Sequence, residues 1–144
     1  ASSGLHSNGY SIVNYLARRL KLNYATHPEL LTPTTIYAPV VKRLLQEFDD
    51  IYGMAHITGG GIPENLPRCL PKGLKVDVDW NSWRIPEIFL EIQRKGNVEE
   101  SEMRRVFNLG IGYCVVVPDN IKYYVMDFIR QEGIDCWEIG EVHE

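Results

Sequence analysis

The sequence predicts layered α and β structure, an α+β or α/β domain with a sheet under at least one helical layer. Three observations carry that expectation. Four stretches repeat apolar residues with the helical period, four short runs have strand character, and the two kinds interleave along the chain. The length, 144 residues, suits one domain with a real core. A balance of 44% hydrophobic and 24% charged residues argues against disorder.

Taken in order, the first helix is expected where Ile12, Val13, Leu16 and Leu20 share a face. Ser11 stands at its N-cap, and Arg18, Arg19 and Lys21 stand at the end that favours cations. Residues 21–33, interrupted by Asn23, His27, Pro28, Thr32 and Pro33, read as a surface connection. Val40, Val41, Leu44, Leu45 and Phe48 form the strongest stripe, with Lys42, Arg43 and Glu47 turned away. Residues 51–57 form a short apolar strand ending at glycines. Residues 76–80 alternate with period two, as a strand buried on one face should. Ile85, Ile88, Phe89 and Ile92 mark another helix, with Pro86 suited to its first position. Residues 99–105 form a short charged helix with Val98, Met103 and Val106 inward. Residues 113–117 are a continuous apolar run stopped by Pro118, fitting a strand covered on both faces. Ile121, Val125, Phe128 and Ile129 give the last helix, ended by Gly133, and residues 137–142 alternate again.

Charge and cysteine usage narrow the function classes. Lys and Arg total 15 against 19 Asp and Glu, a net charge of −4 that disfavours nucleic acid as a partner. No apolar run approaches the roughly 20 residues of a membrane span, and the opening Ala1-Ser2-Ser3-Gly4 has neither the basic nor the apolar region of a secretory signal. Cys69, Cys114 and Cys136 are odd in number, lack a CxxC pair and lie in apolar surroundings. They read as small buried hydrophobes in a reducing compartment, not as disulfide or metal ligands.

Three segments could carry chemistry. Gly4-Leu5-His6-Ser7-Asn8-Gly9-Tyr10-Ser11 precedes the first helix and can offer main-chain and side-chain donors to an anion; it can equally be a polar turn capping its own helix. Ala55-His56-Ile57-Thr58-Gly59-Gly60-Gly61-Ile62-Pro63-Glu64-Asn65-Leu66-Pro67-Arg68 places three glycines after a strand. Three are more than a turn needs and would let main-chain N–H groups approach a phosphate. The segment is neither a Walker A loop, lacking Gly-Lys-Ser/Thr, nor a dinucleotide fingerprint, since Glu64 stands at the third glycine. Leu31-Thr32-Pro33-Thr34-Thr35-Ile36-Tyr37 is hydroxyl-rich and explained mostly by entry into a helix. His6 and His56 lie in the two glycine-bearing segments, where an imidazole can move protons near neutral pH. No histidine spacing forms a zinc site, and no metal-binding residue is expected in this chain.

These segments, in this order, resemble the C-terminal domain of the AIR synthase family, whose members include phosphoribosylformylglycinamidine cyclo-ligase. The resemblance runs over nearly all of residues 1–144. It includes the two strings above, Trp83-Arg84-Ile85-Pro86, Gly96-Asn97-Val98, Phe107-Asn108-Leu109-Gly110-Ile111-Gly112 and Ile139-Gly140-Glu141-Val142. It implies an α+β fold with a mixed β-sheet flanked by helices, partly ferredoxin-like in topology. It also implies an ATP-dependent step of purine biosynthesis in the cytoplasm. ATP phosphorylates the formamide oxygen of formylglycinamidine ribonucleotide; the amidine nitrogen then attacks, the imidazole ring closes and phosphate leaves.

The same resemblance implies His6 and His56 in proton transfer or substrate orientation. Ser7, Asn8, Gly9, Thr58, Gly59, Gly60, Gly61, Asn65 and Arg68 are its implied substrate and phosphate contacts. ATP and Mg2+ are expected to bind mainly through an N-terminal nucleotide-binding domain absent from this chain, which would be both a partner and the seat of a homodimer. Thr35, and a site near Asn14, stand where the family usually has arginine, removing two possible phosphate contacts. Two rival readings share the architecture. One is an ATP-using relative acting on selenide, thiamin phosphate or a carbamoyl group; the other is a binding module without turnover.

Overall fold

Helix α1 (Tyr10–Arg18) buries Val13 and Leu16, as its stripe predicts. Its N-cap, however, is Gly9 at φ 80°, not Ser11, which lies one residue inside the helix. The cause is close packing. A Cβ on Gly9 would sit 2.0 Å from the Phe107 ring, so only glycine fits the entry turn. This computed structural model describes residues 1–144. After α1 the chain is less superficial than its composition suggests. Leu22 and Leu30 are 3% and 1% exposed, and His27 Nε2 lies 3.2 Å from Glu91, pinning the connection to the next-but-two helix.

The remaining helices are α2 (Ala38–Glu47), α3 (Gly61–Asn65), α4 (Glu87–Gly96), α5 (Glu100–Val106) and α6 (Lys122–Gln131). Helix α4 buries Ile88, Phe89 and Ile92 and ends at Asn97 in the left-handed region; Gly133 does the same after α6.

The strands are β1 (Gly53–His56), β2 (Lys75–Val78), β3 (Tyr113–Val116) and β4 (Gly140–His143). The α+β class is as expected, but the strands form two antiparallel two-stranded ladders in place of one mixed sheet. One pairs β1 with β3, setting His56 opposite Tyr113 and Ala55 opposite Cys114; the other pairs β2 with β4. The 3-10 turn Leu66–Cys69 packs against both β1 and β2, so it stands where the ladders would otherwise meet. In β2 the alternation holds: Val76 and Val78 are half-buried while Lys75 and Asp77 are exposed.

Two apolar clusters organise the molecule. The larger gathers Leu5, Val13, Leu16, Leu22 and Leu30 with Ile88, Phe89, Ile92, Met103, Phe107 and Leu109. The smaller joins β1, α3 and β3 through Ala55, Ile57, Ile62, Leu66, Trp83, Ile111 and Cys114. The indole N–H of Trp83 donates to the Leu109 carbonyl at 2.9 Å, satisfying the one polar atom of a buried ring. All three cysteines are free, and burial pushes their thiols up, Cys114 to about 12. No helix is long and apolar enough to cross a membrane.

Candidate functional site

Strand β1 delivers the glycine segment. Past His56, the N–H of buried Ile57 donates to the Gly112 carbonyl at 2.9 Å, fixing the strand end against the 107–112 segment. The chain then reverses through Gly60 at φ 97° and Gly61 at φ 60°, both in the left-handed region. Asn65 organises this reversal from inside. It is 7% exposed, and its Nδ2 lies 3.3, 3.1 and 2.8 Å from the carbonyls of Thr58, Gly59 and Gly61. Its Oδ1 accepts from the Thr58 hydroxyl at 3.3 Å and from Arg68 at 3.4 Å.

The three glycines have different jobs. Gly61 donates its N–H to the Thr58 carbonyl at 3.0 Å, and a Cβ there would meet the Arg104 carbonyl at 1.9 Å; it is a packing glycine against α5. Gly59 and Gly60 donate to no acceptor in the protein. A Cβ on Gly59 would lie 3.3 Å from Asn8 Oδ1, so the glycine loop and the opening turn are neighbours. Asn8, Gly9, Gly59 and Gly60, with Glu64, Arg105 and Val106, line a cleft of about 290 Å3. Free main-chain donors in such a concavity suit an anion.

The opening turn is held by a residue to which composition assigned no role. Asn108, 2% exposed, donates to the Gly4 carbonyl at 2.7 Å and accepts from the Ser2 hydroxyl and the Gly110 N–H, each at 2.8 Å. Its only advance signal was its place in the Phe107-to-Gly112 string.

Two imidazoles and two phenols form a ring cluster, whose Tyr37 and Tyr113 face an apolar hollow distinct from the cleft. Tyr37 stands 6.1 Å from His6, 5.7 Å from His56 and 5.2 Å from Tyr113, and His56 stacks on Tyr113 at 6.0 Å, all between centroids. Tyr37 is the N-cap residue of α2, and its hydroxyl donates to the Ala1 carbonyl at 2.5 Å. Gly112 makes room for the cluster, since a Cβ there would lie 2.0 Å from that hydroxyl and 2.7 Å from the His6 ring.

The two histidines differ. His6 is 5% exposed at φ 58°; its Nε2 accepts the Ser3 N–H at 3.2 Å, which puts the proton of the neutral ring on Nδ1. That buried Nδ1 has no partner. Burial, chiefly, with His56 and the amino terminus nearby, holds the His6 pKa below its ordinary value, which favours the neutral ring. His56 is exposed. Burial drives the Tyr37 phenol up to about 12 and raises Tyr113 as well, so both remain protonated.

Of the predicted residues, then, His6 and His56 meet across Tyr37, while Asn8, Gly9, Gly59 and Gly60 share the cleft. Thr58 and Asn65 are engaged within the loop, Ser7 is exposed, and Arg68 lies outside with Glu64 at 3.7 Å. Asn14 accepts the Tyr24 hydroxyl at 2.6 Å on the outer face of α1, and Thr35 lies on the segment leading into α2. No three His, Cys, Asp or Glu side chains gather as a metal site.

Residues 1–144 match the family model described as AIR synthase related protein, C-terminal domain. The chain is 44% identical over 151 residues to the phosphoribosylformylglycinamidine cyclo-ligase of Synechococcus sp. (strain CC9605), covering 99% of the chain and 44% of that relative. It is 42% identical over 151 residues to the enzyme of the same name from Prochlorococcus marinus (strain MIT 9313), with coverage of 99% and 44%. With that of Rippkaea orientalis it shares 42% over 154 residues, covering 100% and 45%. The chain thus spans less than half the length of these relatives.

Proposed function

The chain belongs to the AIR synthase related family, as its C-terminal domain, and on that premise we propose that it supplies the substrate-gripping and proton-handling part of a formylglycinamidine ribonucleotide cyclo-ligase. One observation carries the reading: the two loops that build the anion cleft also carry the two imidazoles. Asn8 is two positions after His6 and Gly59 three positions after His56, so chain reach alone keeps each pair within about 7 and 11 Å.

In this reading the unspent amides of Gly59 and Gly60, with Asn8, Gly9 and Ser7, hold a phosphoryl group. Thr58 and Asn65 keep the loop in that shape, and Arg68 fixes Asn65 from outside. The exposed His56 handles the proton at the amidine nitrogen as it becomes a nucleophile. His6, neutral and buried, offers its Nδ1–H as a fixed donor where negative charge develops. Fixing both ends of the cyclising chain removes entropy that closure would otherwise lose. The donor set here does not suit Mg2+, so ATP and Mg2+ are assigned to the part of the relatives outside this chain. The partner N-terminal domain, a homodimer and a cytoplasmic location belong to the same proposal.

The test joins this chain to the N-terminal part found in its relatives and measures phosphate release with formylglycinamidine ribonucleotide. Release that depends on both ATP and this substrate is expected, and its absence overturns the reading. His56→Gln should then lower kcat by roughly 10²- to 10⁴-fold with KM little changed. A normal kcat would remove His56 from the chemistry.

A further inference from the structure

The glycine cleft contains two charges that the reading above leaves unused. Arg105 is the one cation on its wall, and Glu64 is the one anion. Arg105 reaches the cleft from α5, not from either glycine-bearing loop. Glu102 Oε2 accepts from its Nε at 3.1 Å and from its Nη2 at 2.9 Å, leaving Nη1 uncommitted. A guanidinium held along one edge is oriented before any ligand arrives, so little rotamer freedom is lost on binding. Glu64 lies over the glycine loop, where a Cβ on Gly60 would meet its Oε2 at 2.6 Å. Its only basic neighbour is Arg68, at 3.7 Å.

A carboxylate beside free amides is a poor arrangement for a bare phosphate, because the two anions repel. It is a good one for a ligand that carries hydroxyls next to its phosphate, since a hydroxyl donates to the carboxylate while the phosphate takes the amides. The volume agrees: about 290 Å3 is several times the roughly 30 Å3 of a liquid water and leaves room for a sugar beside a phosphate.

We propose that Arg105 is the cation that clamps the phosphate in this cleft, and that Glu64 makes the cleft select phosphate carried on ribose over the free ion. The inference rests on the phosphate-gripping reading of Gly59 and Gly60, and the experiment separates the two. Amide resonances of the chain are followed while ribose 5-phosphate, inorganic phosphate and ribose are each titrated into the unaltered protein and into Arg105→Gln and Glu64→Gln. The Arg105 side chain is mostly exposed and that of Glu64 half exposed, so both near-isosteric variants keep the fold.

In the unaltered chain, ribose 5-phosphate moves the Gly59, Gly60 and Asn8 signals and binds more tightly than phosphate or ribose. Arg105→Gln weakens both phosphate ligands about tenfold or more. Glu64→Gln acts in opposite directions, tightening inorganic phosphate severalfold while leaving ribose 5-phosphate no better bound. If the glycine amides still respond but Arg105→Gln binds ribose 5-phosphate normally, the clamp is overturned and the cradle survives. If Glu64→Gln strengthens both ligands equally, the selection is overturned. If no ligand moves Gly59 or Gly60, the cradle and this inference fall together.

Discussion

The two sides of the molecule are packed very differently. Around α1, α4 and α5, eleven buried side chains close on one another, with Phe89 and Phe107 edge to face at 5.7 Å. Between α2, α6, β3 and β4 lies an apolar hollow of about 1180 Å3, walled by residues such as Val40, Leu44, Val115, Val125 and Ile129. The glycine cleft stands on the solid side. Phe107 presses on Gly9 and the α5 backbone on Gly61, so the atoms that must be placed to a fraction of an ångström rest on close-packed supports. The loose side contributes two rings to the neighbouring cluster, Tyr37 and Tyr113.

The sharpest way to break that contrast is with a pair of glycines. Gly61→Ala forces a Cβ to within 1.9 Å of the Arg104 carbonyl at φ 60°, adding overpacking to left-handed strain, and should cost more than about 3 kcal/mol. Gly133→Ala, at φ 82° with nothing within 4 Å, meets strain alone and should cost about 1–2 kcal/mol. Denaturant midpoints decide it; equal losses would mean that α5 yields and the solid side is not solid.

A pair of leucines makes the same comparison with smaller numbers. Leu16 and Leu44 are 0% and 1% exposed and both sit inside helices, so helix propensity cancels between Leu16→Ala and Leu44→Ala. The first opens a new void in a full core and should cost about 4–5 kcal/mol. The second only enlarges the existing hollow and should cost nearer 2–3 kcal/mol. If Leu44→Ala is the costlier change, the hollow closes in solution.

Acid should act on the solid side. The pKa of His6 is depressed in the folded state, so its contribution is intact above the ordinary histidine value of 6.5 and is lost as pH falls through the folded value. Glu91 is also depressed, chiefly by Lys95, and its contribution disappears lower, below the carboxylate value of 4.5. Thermal unfolding measured from pH 8 to pH 3 should therefore decline in two separate windows. His6→Gln should flatten the upper one and leave the lower untouched; an unchanged upper window would place the titration elsewhere.

What the sequence could show divides along the same line. Periodicity identifies the apolar face of a helix but not how closely another element fills the space against it. Hence Ile88, Phe89 and Ile92 were legible as core. The stronger stripe of α2, by contrast, proved to bury only Leu44 fully and to leave Leu45 48% exposed. Leu22 and Leu30 were missed as anchors because two apolar residues in an aperiodic stretch carry no pattern. In the site, the glycine run and the two histidines were visible as residue types. Their division of labour was not, because Gly61 is fixed by α5, some forty residues on; Tyr37, Asn108 and Gly112 were visible only as members of longer strings, and Arg105 enters only through the fold.

The smallest expected effect tests what ties the loose side together. Arg43 on α2 hydrogen-bonds Glu132 just past α6 through both Nε, at 2.9 Å, and Nη2. This pair and the Phe48–Phe128 edge-to-face contact at 5.7 Å bridge the two helices over the hollow. The guanidinium is half exposed, so water and salt screen the attraction and its net worth is small. Arg43→Ala should shift the unfolding midpoint by no more than the scatter between repeats, and the same in 1 M salt as without it. Phe48→Ala should shift it plainly, because an apolar contact between half-buried rings is insensitive to salt. A large, salt-sensitive loss from Arg43→Ala would instead make the ion pair the clasp, and α2 would be held to α6 by charge across a space its apolar stripe does not fill.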